Sequence, residues 1–308
     1  MTDHSYTSIP PLHLCLPATS ANLGPGFDAL GLAMGLYLTI DARVAASFHI
    51  HATGRNPELC GQLEHNLLLT TYIDVLAQAG HLSPRLHLQL HNEIPLGMGC
   101  GSSAAALLAG VLLANHFGKL NWNEERILEE ACRREGHPDN VAACYFGGMT
   151  ASKVTEEGVI TATFGRHLHW GLLLVVPSVS LATEKARALL PSHYSRADAV
   201  SNIQSTALLV AAFAHSRPDL LRTAMLDKIH QPYRAHACHL LPVLLPLART
   251  EGVYGVALSG AGPSVLLLTD PAAVSALSDR IRQTVADPTI EIIQTTISEG
   301  LKQSTLAS

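Results

Sequence analysis

Short segments in which hydrophobic and polar residues alternate mark the first part of the chain. LHLCLP (residues 12–17) and RLHLQLHNEI (85–94) alternate in this way, and GLYLTIDARVAA (35–46) has a similar strand-like composition. Such patterns predict β-strands, because successive side chains of a strand point to opposite faces. ATSANLGPGFDALG (18–31) lies between the first and second of these strands along the chain. It is rich in Ser, Asn, Gly and Pro and therefore predicts a loop.

Three helices are predicted in the same half of the chain. One covers residues 65–79, and a second runs from Ser102 to about residue 117. The second is hydrophobic on nearly every face, which indicates that it is buried. NWNEERILEEACRREG (121–136) predicts an amphipathic helix with Asn123 as its cap and Gly136 as its stop.

The second half of the chain predicts a separate set of elements. Strands are expected at GLLLVVPS (171–178), twice within GVYGVALSGAGPSVLLLTD (252–270), and at 289–297; helices are expected at 183–190, 199–215, 219–226 and 271–286. Mixed strands and helices without a fixed repeat predict an α+β fold. Polar residues over 156–170 separate two apolar blocks. We therefore expect an N-terminal domain of residues 1–160 and a C-terminal domain of residues 161–308.

Composition and charge narrow the possible classes of protein. The 308 residues are 47% hydrophobic, which is enough for a large core, and the net charge of −5 suggests no nucleic-acid partner. No apolar run is long enough to predict a membrane partner, and the opening MTDHSYTSIPPLHL lacks the features of a secretory signal. Six cysteines without CxxC pairs favour reduced thiols. We expect a soluble, cytoplasmic protein.

The segment PLGMGCGSSAAALLAG (95–110) places three glycines directly before a helix-forming run. Glycine has no Cβ, so backbone amides there can approach a ligand closely, and Ser102 or Ser103 can cap the helix. Such a loop favours anions, above all phosphate, although a glycine-rich turn before a buried helix is the alternative. The absence of a lysine excludes the ordinary P-loop, and a proline interrupts the strand entry that a dinucleotide fingerprint requires.

The same segment resembles the phosphate loop of the GHMP kinases, which include galactokinase, homoserine kinase and mevalonate kinase. PATSANLGPGFDALGLA (17–33) resembles the first family signature, and SGAGPSV (259–265) resembles the third, in the expected order. Within the superfamily, EGHPDNVA (135–142), TEKAR (183–187) and QPYR (231–234) resemble the homoserine kinases. Cys100, Ala143 and Gln231 depart from the residues usual at their positions.

The resemblance implies a two-domain GHMP kinase fold. Its N-terminal domain would be similar to ribosomal protein S5 domain 2 and its C-terminal domain would be ferredoxin-like, often in a homodimer. The implied activity is ATP- and Mg²⁺-dependent phosphorylation of L-homoserine to O-phospho-L-homoserine in threonine biosynthesis. A GHMP kinase for another small alcohol and a catalytically silent sensor of nucleotide or amino acid are the alternatives.

The resemblance also implies residues for ATP and Mg²⁺. The nucleotide site would comprise Asn66, Pro95, Gly97, Gly99, Gly101, Ser102 and Ser103, with Asn66 near the adenine. A Mg²⁺ ion held largely by phosphates still needs a carboxylate. The implied ligands are Glu135 and the hydroxyl of Ser103, and Glu129 or Glu130 are alternatives to Glu135.

Residues of the acceptor side follow from the same motifs. Because the planar fork of arginine matches two carboxylate oxygens, two arginines are expected to bind the substrate carboxylate. The implied substrate-binding residues are Asn22, Asp28, His137, Arg187 and Arg234, and the implied catalytic residues are Asp28, Asp139, Asn140 and Thr183. Asp28 or Asp139 could accept the hydroxyl proton, or catalysis could proceed by transition-state stabilisation without a base.

Overall fold

The protein is described by a computed structural model over residues 9–306. We interpreted the first residues of the chain as lacking a secretory signal, and the opening of that segment lies outside the described residues. The strands are β1 Leu12–Asn22, β2 Gly26–Val44, β3 His49–Gly54, β4 Leu86–Asn92, β5 Met149–Thr155, β6 Gly158–Phe164, β7 Gly171–Val176, β8 Val253–Leu258, β9 Val265–Thr269, β10 Glu291–Thr295 and β11 Lys302–Thr305. The α-helices are α1 Pro57–Cys60, α2 Leu67–Gln78, α3 Ser102–Phe117, α4 Glu124–Glu135, α5 Asp139–Phe146, α6 Thr183–Ala188, α7 Arg196–Ala214, α8 Leu221–Ala224, α9 Gln231–Arg234, α10 Leu240–Leu244 and α11 Val274–Val285. Short 3₁₀ helices cover Pro218–Leu220, Leu245–Arg249 and Pro271–Ala273.

A seven-stranded sheet forms the first layer of the molecule. Its order is β11-β1-β2-β4-β3, with β5 pairing to β2 and β6 to β5. The pair β3–β4 is parallel, and the other pairs are antiparallel. Helices α3 and α5 pack against β1, and α2 and α4 pack against α3. As the sequence predicts, α3 is mostly buried, because helices and sheet enclose it.

The loop predicted over residues 18–31 is mostly strand, so that prediction is wrong. β1 continues to Asn22 and β2 begins at Gly26, which leaves a tight turn between them. The small residues that suggested a loop instead allow close packing. A Cβ on Gly31 would lie 2.2 Å from the carbonyl oxygen of Asp139, so the start of α5 could not pack against the strand.

A second, four-stranded antiparallel sheet has the order β10-β7-β9-β8. Helices connect β7 to β8 and β9 to β10, whereas β8 and β9 are joined directly. Numbered within this unit, the strand order is 4-1-3-2, which is the βαββαβ arrangement of a ferredoxin-like domain. A second hydrophobic cluster lies between this sheet and helices α10 and α11. The expected α+β fold with a ferredoxin-like C-terminal unit is therefore confirmed.

The two sheets are not strictly sequential along the chain. β6 lies within the region predicted to separate two apolar blocks, and it pairs with β5 of the first sheet. After the second sheet, β11 returns to pair with β1. The domain boundary between residues 160 and 161 remains a prediction. Within residues 9–306, no helix is long and apolar enough to cross a membrane.

Candidate active site

The glycine loop between β4 and α3 has an unusual backbone. Gly97, Gly99 and Gly101 have φ values of 69°, 74° and 68°, a region that side chains with a Cβ rarely adopt. The N-cap of α3 is Gly101, and no side chain caps the helix. The prediction that Ser102 or Ser103 caps it is therefore wrong. A Cβ on Gly101 would lie 1.8 Å from the Oγ1 of Thr19, so only glycine fits the cap position.

The glycine loop packs against a second glycine-rich segment, residues 259–262. The hydroxyl of Ser259 donates a 2.7 Å hydrogen bond to the carbonyl of Gly99, and a Cβ on Gly99 would lie 2.2 Å from the carbonyl oxygen of Ser259. The turn after β1 joins the same cluster, because Asn22 Nδ2 donates a 2.9 Å hydrogen bond to the carbonyl of Gly260. The three family-like glycine segments, distant in sequence, thus meet at one place.

One pocket collects nearly all of the residues that the sequence singled out. Of the predicted site residues, its lining includes Asn22, Asp28, Gly97, Gly99, Gly101, Ser102, Ser103, Glu135, His137, Asp139, Asn140, Thr183, Arg187 and Arg234. Two predicted residues do not line it. Asn66 is the N-cap of α2, where its Oδ1 accepts from Leu69 N at 3.2 Å and its Nδ2 donates to the carbonyl of Cys60 at 3.0 Å. Pro95 is buried at the entry to the glycine loop.

At one side of the pocket, Ser103 in the first turn of α3 meets Glu135 at the end of α4. The hydroxyl of Ser103 donates a 2.8 Å hydrogen bond to Oε1 of Glu135. Burial raises the pKa of Glu135 above its ordinary value, although the hydrogen bond from Ser103 opposes that rise. The site therefore holds a carboxylate whose negative charge is poorly compensated by the protein.

The two alternative glutamates are already paired with arginines. Glu130 is buried and accepts hydrogen bonds of 2.7 Å from both Arg133 and Arg134, and Glu129 pairs with Arg126 at 2.7 Å. Burial acts to raise the pKa of Glu130, but these guanidinium groups lower it overall. Neither glutamate lines the pocket. Of the three candidates, only Glu135 is placed to face a ligand there.

The start of α5 brings a buried carboxylate into the pocket. Asp139 is 2% exposed, and its Oδ1 lies 2.8 Å from His137 Nδ1 and accepts from Asn140 N at 2.7 Å. Burial acts to lower the pKa of His137, yet the hydrogen bond and negative charge of Asp139 raise it overall. The side-chain oxygen of Asn140 accepts a 2.7 Å hydrogen bond from Thr19, and its amide nitrogen has no hydrogen-bond partner within residues 9–306.

The pocket lining also includes two arginines that lie over one aromatic ring. Arg187 on α6 holds Asp28 with two hydrogen bonds, 3.0 Å and 2.6 Å long. Arg234 at the end of α9 is 1% exposed and has no carboxylate within salt-bridge distance among the described residues. Both guanidinium groups lie over the ring of Phe27, 5.3 Å and 5.5 Å from its centre. Burial lowers the pKa of Arg234, and the charge of Arg187 adds to this effect.

Sequence reasoning missed three residues that shape the site. Phe27 lies beneath both arginines, Thr19 fixes Asn140, and His230 contacts Arg234. Phe27 and Thr19 lie within the segment predicted as a loop, and His230 directly precedes QPYR. Their positions in or beside these segments were the signal by which the sequence could have identified them. Their contacts, however, depend on residues far away in the chain.

Comparisons with known proteins agree with this geometry. The family model described as the GHMP kinases N terminal domain matches residues 66–148, and that for the GHMP kinases C terminal matches residues 209–287. The homoserine kinase of Solibacter usitatus is 49% identical over 83% of this chain and 84% of its own. That of Desulfitobacterium hafniense is 40% identical over 88% and 90%. The homoserine kinase structure from Cytophaga hutchinsonii shares the fold, with a TM-score of 0.80 at 24% identity over 99% of both chains. The chain therefore belongs to the homoserine kinase family of the GHMP kinases.

Proposed function

We propose that this protein transfers the γ-phosphoryl group of ATP to the hydroxyl of L-homoserine, releasing O-phospho-L-homoserine and ADP in threonine biosynthesis. The observation that carries the proposal is the content of one pocket, in which a glycine loop at a helix N-terminus lies together with two arginines and a carboxylate. The first feature suits phosphate groups. The two arginines and the carboxylate suit a small amino acid, which carries one negative and one positive charge. Relatives at 49% and 40% identity are named for this activity.

We assign the phosphates of ATP to the glycine loop and the first turn of α3. The first amides of a helix have no partner inside it, and no side chain caps this one. Those amides can therefore bind anionic oxygens, and the positive end of the helix dipole favours the same charge. The assignment of Asn66 to the adenine remains a prediction. Its side chain already makes two hydrogen bonds within the protein, so it would act by shaping that region.

The pairing of Ser103 and Glu135 fits a magnesium ion. Magnesium prefers oxygen ligands and takes few of them from the protein, with phosphates and water supplying the rest. The only hydrogen bond to Glu135 within residues 9–306 comes from Ser103, and the carboxylate is half-buried. A divalent cation would offset the cost of keeping that carboxylate ionised. When bound, Mg²⁺ would neutralise charge on the transferring phosphoryl group.

The ion pair between Asp28 and Arg187 suggests how an amino acid enters. A substrate with an ammonium and a carboxylate can replace both partners, the ammonium binding Asp28 and the carboxylate binding Arg187. A ligand that carries only one of these charges would release one partner and leave the other unpaired, which is costly in a partly buried site. Arg234 supplies a second guanidinium for the carboxylate, and Asn22 orients Asp28 by accepting its backbone N–H at 3.0 Å.

The remaining pocket residues are assigned to the transferred group and the substrate hydroxyl. Thr183 lies at the start of α6, and Asn140 and His137 lie near Asp139. Arg187 holds both carboxylate oxygens of Asp28, whereas the two hydrogen bonds of Asp139 both go to Oδ1, which leaves Oδ2 without a partner among the described residues. Asp139 is therefore the better candidate for accepting the hydroxyl proton, and stabilisation of the transition state without a base is the alternative.

A coupled assay of ADP release tests the proposed activity. Turnover should require Mg²⁺ and L-homoserine together, with serine, threonine, mevalonate and shikimate as comparison substrates. Turnover on mevalonate or shikimate, without turnover on homoserine, would show that the protein is a kinase for another small alcohol. Nucleotide binding without turnover on any substrate would show a catalytically silent sensor. We place the protein in the cytoplasm, and a homodimer remains a prediction.

A further inference from the structure

A buried histidine next to Arg234 has no role in the proposed phosphoryl transfer. His230 is fully buried, and its two ring nitrogens make different contacts. Nε2 lies 2.8 Å from the carbonyl oxygen of Gly24, and Nδ1 lies 2.9 Å from Nη1 of Arg234. A carbonyl can only accept and a guanidinium can only donate. The ring must therefore be the neutral tautomer with its proton on Nε2.

The surroundings of His230 keep it in that form. Burial lowers the pKa of His230 to about 4, and the charge of Arg234 contributes to this shift, although Asp227 opposes it. The carboxylate of Asp227 lies 3.5 Å from Nε2 but is occupied by backbone amides, including those of His230 and Gln231 at 3.1 Å and 2.6 Å. At neutral pH His230 is therefore uncharged and accepts a hydrogen bond from Arg234.

The contacts of His230 form a continuous chain across the acceptor side of the pocket. Gly24 lies in the turn between Asn22 and Asp28, His230 bridges it to Arg234, and Nε of Arg234 donates a 3.2 Å hydrogen bond to the carbonyl of Ala186. Ala186 precedes Arg187 on α6. Two of the five donors of Arg234 are therefore fixed on the protein, and the others remain for a ligand.

We infer that His230 is a positioning residue that fixes the guanidinium of Arg234 for recognition of the substrate carboxylate. This inference rests on the proposed function. With Nδ1 and the Ala186 carbonyl as two fixed acceptors, the planar guanidinium has one orientation, and its remaining donors are presented to the pocket. Without the acceptor on His230, the guanidinium turns away or leaves a donor unsatisfied. The carboxylate then loses its bidentate partner, whereas the ATP side of the pocket is unaffected.

The test measures carboxylate recognition directly. For each variant, kcat/KM is determined for L-homoserine and for L-homoserine amide, in which the carboxylate is a neutral amide. His230→Phe keeps a ring but removes both nitrogens, and we expect the preference for homoserine over the amide to fall about 10- to 100-fold, by analogy with residues that orient the ligands of a metal ion. His230→Asn can place an oxygen near Nδ1 and should recover part of that preference. KM for ATP should change less than about twofold in both variants.

A matched control lies next to His230 in the chain. Gln231 is also buried, but its Oε1 accepts from the backbone amide of Leu258 at 2.7 Å, and among the described residues its side chain makes no hydrogen bond to Arg234. Gln231→Met should lower thermal stability and leave the preference for the carboxylate unchanged. The inference is wrong if folded His230→Phe keeps the wild-type preference, if His230→Asn is as impaired as His230→Phe, or if Gln231→Met loses as much preference. A wild-type enzyme without homoserine turnover would instead contradict the proposed function.

Discussion

Replacing Arg234 by leucine separates recognition of homoserine from general kinase chemistry. The side chain is 1% exposed, lies in the second domain and contacts His230, Ala186 and the ring of Phe27. Burial already lowers the pKa of the guanidinium, so the protein bears a cost to keep it charged there. Among the described residues the guanidinium has no carboxylate partner, so leucine leaves no buried charge unpaired, although it removes the donors that face His230 and the carbonyl of Ala186. We therefore expect Arg234→Leu to fold.

The magnitude of the effect follows from the second arginine in the pocket. Removing one member of a buried charge pair costs on the order of 2–5 kcal/mol. Because Arg187 remains to bind the same carboxylate, the lower half of that range applies, about 2–3.5 kcal/mol. At about 1.36 kcal/mol per factor of ten, kcat/KM for homoserine should fall roughly 30- to 400-fold. Arg234→Lys should recover only part of the loss, since a single ammonium cannot reproduce the planar fork.

Steady-state kinetics and a calorimetric titration with ATP decide the outcome. ATP affinity should be close to that of the wild type, because Arg234 lies on the acceptor side of the pocket. If the folded variant keeps the wild-type kcat/KM for homoserine, Arg234 is not part of the substrate site. An equal loss of ATP affinity would assign the arginine to the phosphates and refute the reasoning about the carboxylate.

Three further predictions concern the glycine loop, the metal site and the candidate base. Gly99→Ala should lower thermal stability strongly, because its Cβ would lie 2.2 Å from the Ser259 carbonyl. Gly97→Ala is the control, because its Cβ meets nothing closer than 3.5 Å and the variant should stay folded. Equal melting temperatures of the two variants would contradict this prediction. Glu135→Gln should abolish stimulation by Mg²⁺ yet raise the melting temperature at pH 7, since burial raises the pKa of this carboxyl and its ionised form destabilises the folded state. That gain should vanish as the pH falls below about 4, where the wild-type carboxyl is protonated in both states, and a gain that persists in acid would point to another cause. Asp139→Asn should lower kcat about 10²- to 10⁴-fold if Asp139 is the base, and a single-turnover rate within about tenfold of the wild type would favour transition-state stabilisation instead.

The sequence alone was sufficient for the family, the α+β class and most of the pocket lining. Glycine loops and helix-forming runs are local properties of the chain, so their positions could be predicted without knowledge of the fold. The helix at Ser102–Phe117 and the cap at Asn123 were predicted in this way. Local patterns failed where packing overrides composition. Most of residues 18–31 form strands because neighbouring segments bury their small side chains and supply backbone hydrogen bonds.

Only the tertiary structure decided among candidates that look alike in sequence. Glu130 and Glu135 lie on the same helix, but Glu130 is neutralised by arginines whereas Glu135 faces the pocket. Asn66 matches a family position, yet its side chain caps a helix. The pairing of Asp28 with Arg187 joins residues 159 positions apart in the chain. Charges and hydrogen bonds act over a few ångströms in space, so the partner of each group depends on how distant segments pack, which no local pattern records.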